Sequence, residues 1–154
     1  MEISLVARVT CTSQIQCNFI QRMLGDDTDR PLFEDDVDPQ ERDWFNALED
    51  TDTVDSVSIK GDRVLYINWL VTDTDEIRDL FGYLSRAEVE DIYGVIAGDE
   101  GWYELWIVEK GKLKEYGQWN GKSVTTLCEK ERSLGKLLER IRNENKEKLR
   151  EQIK

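Results

Sequence analysis

The sequence contains no histidine, and this absence excludes several kinds of chemistry. Histidine is the most frequent general base in enzymes and the most frequent protein ligand of transition metals. Catalytic triads with an imidazole and zinc sites with histidine ligands are therefore excluded. No other catalytic motif can be recognised, so we predict that the protein is not an enzyme.

Cysteine is also scarce, because only Cys11, Cys17 and Cys128 occur in 154 residues. A small, odd number of cysteines is typical of reduced thiols in the cytoplasm. We therefore predict a cytoplasmic protein, in the host cytoplasm if a phage encodes it. Cys11 and Cys17 have no second pair nearby, which disfavours zinc and favours a role as small buried hydrophobic residues. No metal or other cofactor is expected.

Long apolar runs are absent as well. No stretch approaches the roughly 20 apolar residues that a membrane-spanning helix needs. The first residues also lack the basic start and apolar run of a signal peptide. We therefore predict no membrane partner.

Negative charge is what the chain has in excess, with 33 acidic residues against 21 basic ones and a net charge of −12. The segment from Gly25 to Asp55 alone carries 13 acidic residues against Arg30 and Arg42, a net charge of −11. The remainder of the chain is therefore nearly neutral. A nucleic-acid backbone requires a basic surface, and only residues 129–154, with nine basic against six acidic residues, could offer one. Their charges are mixed, so direct nucleic-acid binding is not expected.

The acidic segment allows three interpretations. A charge run of this kind is usually a solvated surface that keeps a protein in solution. It could instead supply carboxylates to calcium or magnesium, although its spacing does not match a calcium-binding loop. The third interpretation is a surface that imitates DNA and binds a basic groove by charge complementarity.

We adopt the third interpretation as the leading hypothesis. The protein is then a non-enzymatic inhibitor that acts as a DNA mimic and occupies the basic groove of a nucleic-acid-binding protein. Phe33, Trp44 and Phe45 could anchor such an interface, because charge alone contributes more to the association rate than to affinity. The predicted partner-binding residues are Asp26, Asp27, Asp29, Glu34, Asp35, Asp36, Asp38, Glu41, Asp43 and Trp44.

Two alternatives from other functional classes stay open. One is a small metal-dependent enzyme or metal-binding domain that uses the same carboxylates. The other is an immunity-type or adaptor protein that binds through aromatic residues of a predicted hairpin, with Trp102 and Trp106 as a secondary interface. An exposed pair of these two tryptophans would also allow a homodimer.

The apolar pattern predicts an α+β fold. Alternation in residues 2–11 indicates a strand, and Ser13 followed by Gln16 indicates the start of a helix that ends near Gly25. Further along the chain the pattern predicts a short helix after Asp38-Pro39, a hairpin with a two-residue turn at Gly61-Asp62, and an amphipathic helix that contains Ile77 to Leu84.

The resulting order β-α-β-β-α-β is that of a ferredoxin-like core. The acidic segment 25–55 is then an insertion after the first helix. Additional antiparallel hairpin strands follow the core, and residues 131–154 form a C-terminal helix with the apolar positions Leu134, Leu137, Leu138 and Ile141. We predict one domain over residues 1–130.

In composition and size the chain resembles inhibitor proteins that phages and mobile elements use against host defences. Anti-restriction and anti-CRISPR proteins include small acidic DNA mimics with such features. The resemblance implies an inhibitory, protein-binding function. It rests on no sequence motif, so it assigns no functional residue.

Overall fold

The computed structural model describes residues 2–25, 30–98 and 103–119, with side chains throughout except at 103 and 116–119. These residues form six strands and three α-helices. Two 3-10 turns, Glu34–Asp36 and Pro39–Glu41, precede the second helix. The bounds are β1 Ile3–Thr10, α1 Gln14–Leu24, α2 Arg42–Leu48, β2 Ser56–Lys60, β3 Val64–Val71, α3 Thr74–Arg86, β4 Asp91–Gly98, β5 Tyr103–Glu109 and β6 Lys112–Trp119.

The strands form one antiparallel sheet in the order β2-β3-β1-β4-β5-β6. The predicted α+β class is confirmed, and β5 and β6 form an antiparallel hairpin. The predicted C-terminal helix at 131–154 lies outside the described residues. Within the described part of the chain, no helix is long and apolar enough to cross a membrane.

The central strand β1 has the predicted alternation of side chains. Ile3, Leu5, Ala7 and Val9 are buried on one face of the sheet. Residues directly opposite one another in an antiparallel ladder share a face, and Leu65, Ile67, Ile92 and Ile96 are their partners on β3 and β4. The buried apolar residues of all three helices pack on this same face, which we call the helix face.

The start of α1 has the predicted cap and additional hydrogen bonds from the Gln16 side chain. Ser13 Oγ accepts a hydrogen bond from Gln16 N at 3.1 Å. The buried Gln16 side chain accepts from Thr12 N at 2.7 Å and donates to Ala87 O at 2.7 Å. Because Ala87 follows α3, this one amide fixes the start of one helix against the end of another.

The turn between β2 and β3 differs from the prediction. Lys60 pairs with Val64, which leaves a three-residue loop instead of a two-residue turn at Gly61-Asp62. The third loop residue, Arg63, accepts a hydrogen bond from Cys11 N at 2.7 Å through its carbonyl oxygen. The donor, Cys11, directly follows β1 and is far from the loop in sequence. The residues of the loop alone therefore do not predict this contact.

Trp106 requires a correction to the proposed aromatic interface. Its side chain is 0 % exposed and lies on the helix face, where its ring meets Phe81 edge-on at 6.0 Å between centroids. The Arg78 guanidinium lies 4.8 Å from the Trp106 ring centroid and is held by Glu115 at 2.7 Å. A fully buried ring cannot contact a partner, so Trp106 is a core residue. Trp102 lies outside the described residues.

The contact between Phe81 and the sheet requires glycine at position 94. A Cβ atom on Gly94 would lie 2.5 Å from Phe81 Cζ, and nothing lies within 4 Å of a Cβ atom on Gly82. We expect Gly94→Ala to lower the free energy of unfolding by about 1–3 kcal/mol through overpacking. Gly82→Ala, in the exposed part of α3, should raise it by about 0.5–1 kcal/mol. Urea denaturation of both variants measures the difference. A Gly94→Ala variant with the same free energy of unfolding as the unmodified protein would contradict this packing.

Candidate functional site

The acidic segment is attached to the core by its apolar residues. Phe45 and Leu48 of α2 are buried in the hydrophobic core, as are Val37 before the helix and Val54 after it. Val54 N also donates to Leu24 O at 2.8 Å, which ties the end of the segment to the end of α1. Between residues 30 and 55 the segment is therefore an ordered part of the domain surface.

The carboxylates of this part of the segment lie almost entirely in solvent. Residues 30–55 contain ten acidic residues against Arg30 and Arg42, and nine of the ten are exposed. We call these nine the acidic surface, which consists of Glu34, Asp35, Asp36, Asp38, Asp43, Glu49, Asp50, Asp52 and Asp55. The predicted site residues Asp26, Asp27 and Asp29 lie outside the described residues.

Few positive charges are available to the acidic surface. Among the described residues, no ion pair involves Glu34, Asp35, Asp36 or Asp43. Arg30 directs its guanidinium to the backbone oxygen of Glu49 at 2.8 Å and forms no ion pair in this set. Within the described ranges, the negative charge of these carboxylates is consequently not compensated by ion pairs.

Glu41 does not belong with the exposed carboxylates, although the sequence predicted it as a partner-binding residue. It is 7 % exposed, and its carboxylate accepts a hydrogen bond from Asp38 N at 3.1 Å. It also lies 3.4 Å from Arg22 Nη1. Asp38 and Glu41 form a capping box at the second 3-10 turn, so the role of Glu41 is structural.

Trp44 is half-buried and faces the domain. Its ring lies 5.9 Å from the Phe19 ring of α1, centroid to centroid, and it packs against the core. Most of this aromatic surface therefore fastens α2 to α1. The part of the ring that remains in solvent is the only part that a partner could contact.

Leu32 and Phe33 form the exposed apolar part of the segment. They are 71 % and 68 % exposed, directly before the 3-10 turn that carries Glu34, Asp35 and Asp36. Large side chains with this degree of exposure are uncommon in pairs, and aromatic residues frequently anchor protein interfaces. The structure thus places an apolar pair next to uncompensated carboxylates.

A pocket extends the negative surface beyond the segment. It lies where the chain after α2 meets α3 and β3, and none of the described residues that line it is basic. The sequence did not indicate that Glu76 and Asp79 of α3 would join Asp50 and Asp52, because this neighbourhood depends on helix packing. The lining residues are Asp50, Thr51, Asp52, Trp69, Glu76, Asp79, Leu80 and Tyr83.

The chemistry of this pocket favours a cation. Carboxylates form charge-assisted hydrogen bonds with lysine and arginine, and the faces of Trp and Tyr attract cations. A metal site has a different requirement, because several ligands must converge on one point. In the described ranges, no group of three or more His, Cys, Asp or Glu side chains is arranged to hold one.

The thiols of Cys11 and Cys17 are buried, as the sequence predicted. Burial raises the pKa of both thiols, so neither is a thiolate near neutral pH. These two residues therefore fill the core beneath α1 and offer no reactive group to a partner.

Comparisons with protein families, with curated proteins and with solved structures gave no match for this chain. No functional residue can therefore be assigned by transfer. The acidic surface, the exposed Leu32 and Phe33 and the pocket beside α3 are the features from which a function can be argued.

Glu41 and Glu34 offer a comparison of a structural carboxylate with an exposed one. Glu41→Ala removes the acceptor for Asp38 N, so we expect the free energy of unfolding to fall by about 1–2 kcal/mol. Glu34→Ala removes an exposed group and should change it by less than about 0.5 kcal/mol. Chemical denaturation measures both, and equal effects would contradict the capping role of Glu41.

Proposed function

We propose that this chain is a non-enzymatic protein-binding inhibitor whose acidic surface occupies the basic groove of a nucleic-acid-binding partner. One observation carries the proposal: the uncompensated carboxylates are held on an ordered surface beside an exposed apolar pair. A solvated charge run needs neither the buried anchors Phe45 and Leu48 nor the exposed Leu32 and Phe33.

The spacing of charge is what makes a nucleic-acid groove the favoured target. Duplex DNA presents about one negative charge per 1.7 Å of axis, and proteins bind it with clustered Lys and Arg. Glu34, Asp35, Asp36, Asp38 and Asp43 place five exposed carboxylates within ten residues, which is a high local concentration of negative charge. A groove that attracts phosphates would attract these groups and associate rapidly.

The apolar pair and the pocket would provide the affinity that charge alone does not. Phe33 can enter an apolar depression in the partner, which is how aromatic anchors contribute at interfaces. A lysine or arginine of the partner can enter the pocket between Trp69, Tyr83 and the carboxylates of Asp50 and Asp79.

The scaffold that carries these features is inferred to be a ferredoxin-like unit. The order β1-α1-β2-β3-α3-β4 and the neighbours β2-β3-β1-β4 in the sheet support it. The segment from Gly25 to Asp55 stands between α1 and β2, which supports its description as an insertion. A cytoplasmic setting, and an anti-defence role of the anti-restriction or anti-CRISPR kind in phages, complete the proposal.

A double charge reversal tests the acidic surface. The protein is immobilised and exposed to bacterial lysate at low salt, and retained proteins are eluted with rising salt and identified. We expect nucleic-acid-binding proteins to be retained, and Asp35→Lys with Asp36→Lys to weaken their binding on the order of tenfold, mainly through slower association.

The matched control for this experiment reverses the same number of negative charges at a different place on the protein. Asp62→Lys with Glu88→Lys alters two exposed acidic residues outside the acidic segment, in the β2–β3 loop and after α3. The control should bind as the unmodified protein does. If both double variants lose binding equally, or if binding is insensitive to salt, the acidic surface does not select the partner.

Phe33 provides a test that does not involve charge. Phe33→Ser should weaken binding to the same partner by about tenfold or more, because an interface anchor contributes on the order of 1–2 kcal/mol or more. Leu113→Ser is the control, since Leu113 is also an exposed apolar residue but lies on β6. Titration calorimetry and thermal unfolding measure affinity and stability, and equal binding by the two variants would rule out the Phe33 anchor.

A further inference from the structure

The sheet has a second face, opposite the helix face, and its centre is apolar and buried. Tyr66, Val95, Leu105 and Ile107 are 3 %, 4 %, 1 % and 5 % exposed. Val95 pairs with Leu105, and Tyr93 with Ile107, so these side chains project from the same side of β4 and β5. Tyr66 projects to this side from β3, because its pairing partner in β1 is Arg8 and not a core residue.

None of the described helices accounts for this burial. The hydrophobic core that contains the buried apolar residues of α1, α2 and α3 includes Trp106 and Val108 from β5. It does not include Tyr66, Val95, Leu105 or Ile107. In an uncovered sheet, outward side chains remain partly in water, so exposures of 1 to 5 % require a further layer.

Polar atoms on this face point to the same conclusion. Arg8 Nε and Asp91 Oδ1 are buried, and neither has a hydrogen-bond partner among the residues that the structure describes. Both residues project to the second face, since Arg8 pairs with Tyr93 and Asp91 with Glu109. Burial raises the pKa of the Asp91 carboxyl, although Asp91 is the first residue of its strand. These two polar atoms are thus kept from water, as the four apolar side chains are.

We propose that the second face is the docking surface for the chain's own segment from Leu134 to Ile141. Its apolar residues Leu134, Leu137 and Leu138 recur with Ile141 at the spacing of one face of a helix. The same spacing puts Lys136 and Glu139 on the opposite side, which would face water. The segment therefore has an apolar stripe that can cover the apolar centre of this face.

The length of the chain allows this docking. The described strands end at Trp119, at the edge of the sheet, and 35 residues follow. Strands lie about 4.8 Å apart, so the distance from β6 to β3 is about 20 Å. The 14 residues 120–133 can span up to about 45 Å. Because the occupant is covalently attached, it would outcompete a second copy at ordinary protein concentrations.

Disulfide formation in the full-length chain tests the proposal. Val95→Cys is combined with Cys128→Ser, and then in separate proteins with Leu134→Cys, Leu137→Cys, Leu138→Cys or Ile141→Cys. Cys11 and Cys17 are fully buried and do not compete. We expect at least one stripe position to form an intramolecular disulfide, seen as altered mobility in a non-reducing gel and as the loss of two free thiols.

The controls place cysteine on the polar side or on the other side of the sheet. Lys136→Cys and Glu139→Cys should react with Val95→Cys about tenfold more slowly than the best stripe position, because attachment alone gives only a millimolar effective concentration. Leu32→Cys, which belongs to the acidic segment, should not pair preferentially with any stripe position. Equal rates at stripe and polar positions would overturn the proposal.

Nuclear Overhauser contacts in the unmodified protein provide a second test if a cysteine variant fails to fold. Methyl groups of Leu134 to Ile141 should contact those of Val95, Leu105 or Ile107 within one chain. Disulfides or Overhauser contacts that join two chains would assign the face to a second copy, and absence of both would also overturn the proposal. None of these outcomes depends on the acidic surface.

Discussion

The burial of Phe45 and Leu48 is the interaction on which the rest of the surface depends. These two side chains hold α2 between α1 and α3, while Val37 and Val54 fix the chain on either side. Burial of large apolar side chains contributes roughly 1.5–3 kcal/mol each. That contribution opposes the repulsion among carboxylates that would otherwise favour an extended segment.

Within residues 30–55, the groups that determine the shape of the segment are thus largely different from the groups that carry its charge. Apolar side chains, the capping box of Asp38 and Glu41 and the bond from Val54 N to Leu24 O determine the shape. Among the described residues, the exposed carboxylates of Glu34, Asp35, Asp36 and Asp43 form no ion pair, and these are the groups that we propose a partner binds.

Local patterns were sufficient to predict the α+β class and several of its helices and strands. The alternation of β1, the cap at Ser13 and the stripe from Ile77 to Leu84 each lie within a few residues, and each element was found where it was expected. Contacts between distant elements were not predictable in this way. The three-residue loop after Lys60 depends on a bond to Cys11, and the burial of Trp106 depends on Phe81 meeting Gly94.

The candidate site was also predictable from the sequence only in part. The sequence identified the acidic segment but could not separate Glu41, which caps a turn, from its exposed neighbours. Nor could it bring Glu76 and Asp79 beside Asp50, because that proximity arises from the packing of α2 on α3.

The central claim is that the acidic surface takes the place of nucleic acid on its partner. Sedimentation of the purified partner with this protein and with labelled duplex DNA measures that directly. The account predicts two mutually exclusive complexes, with DNA displaced as the protein is added. A ternary complex that contains both the protein and DNA on one partner molecule would contradict it.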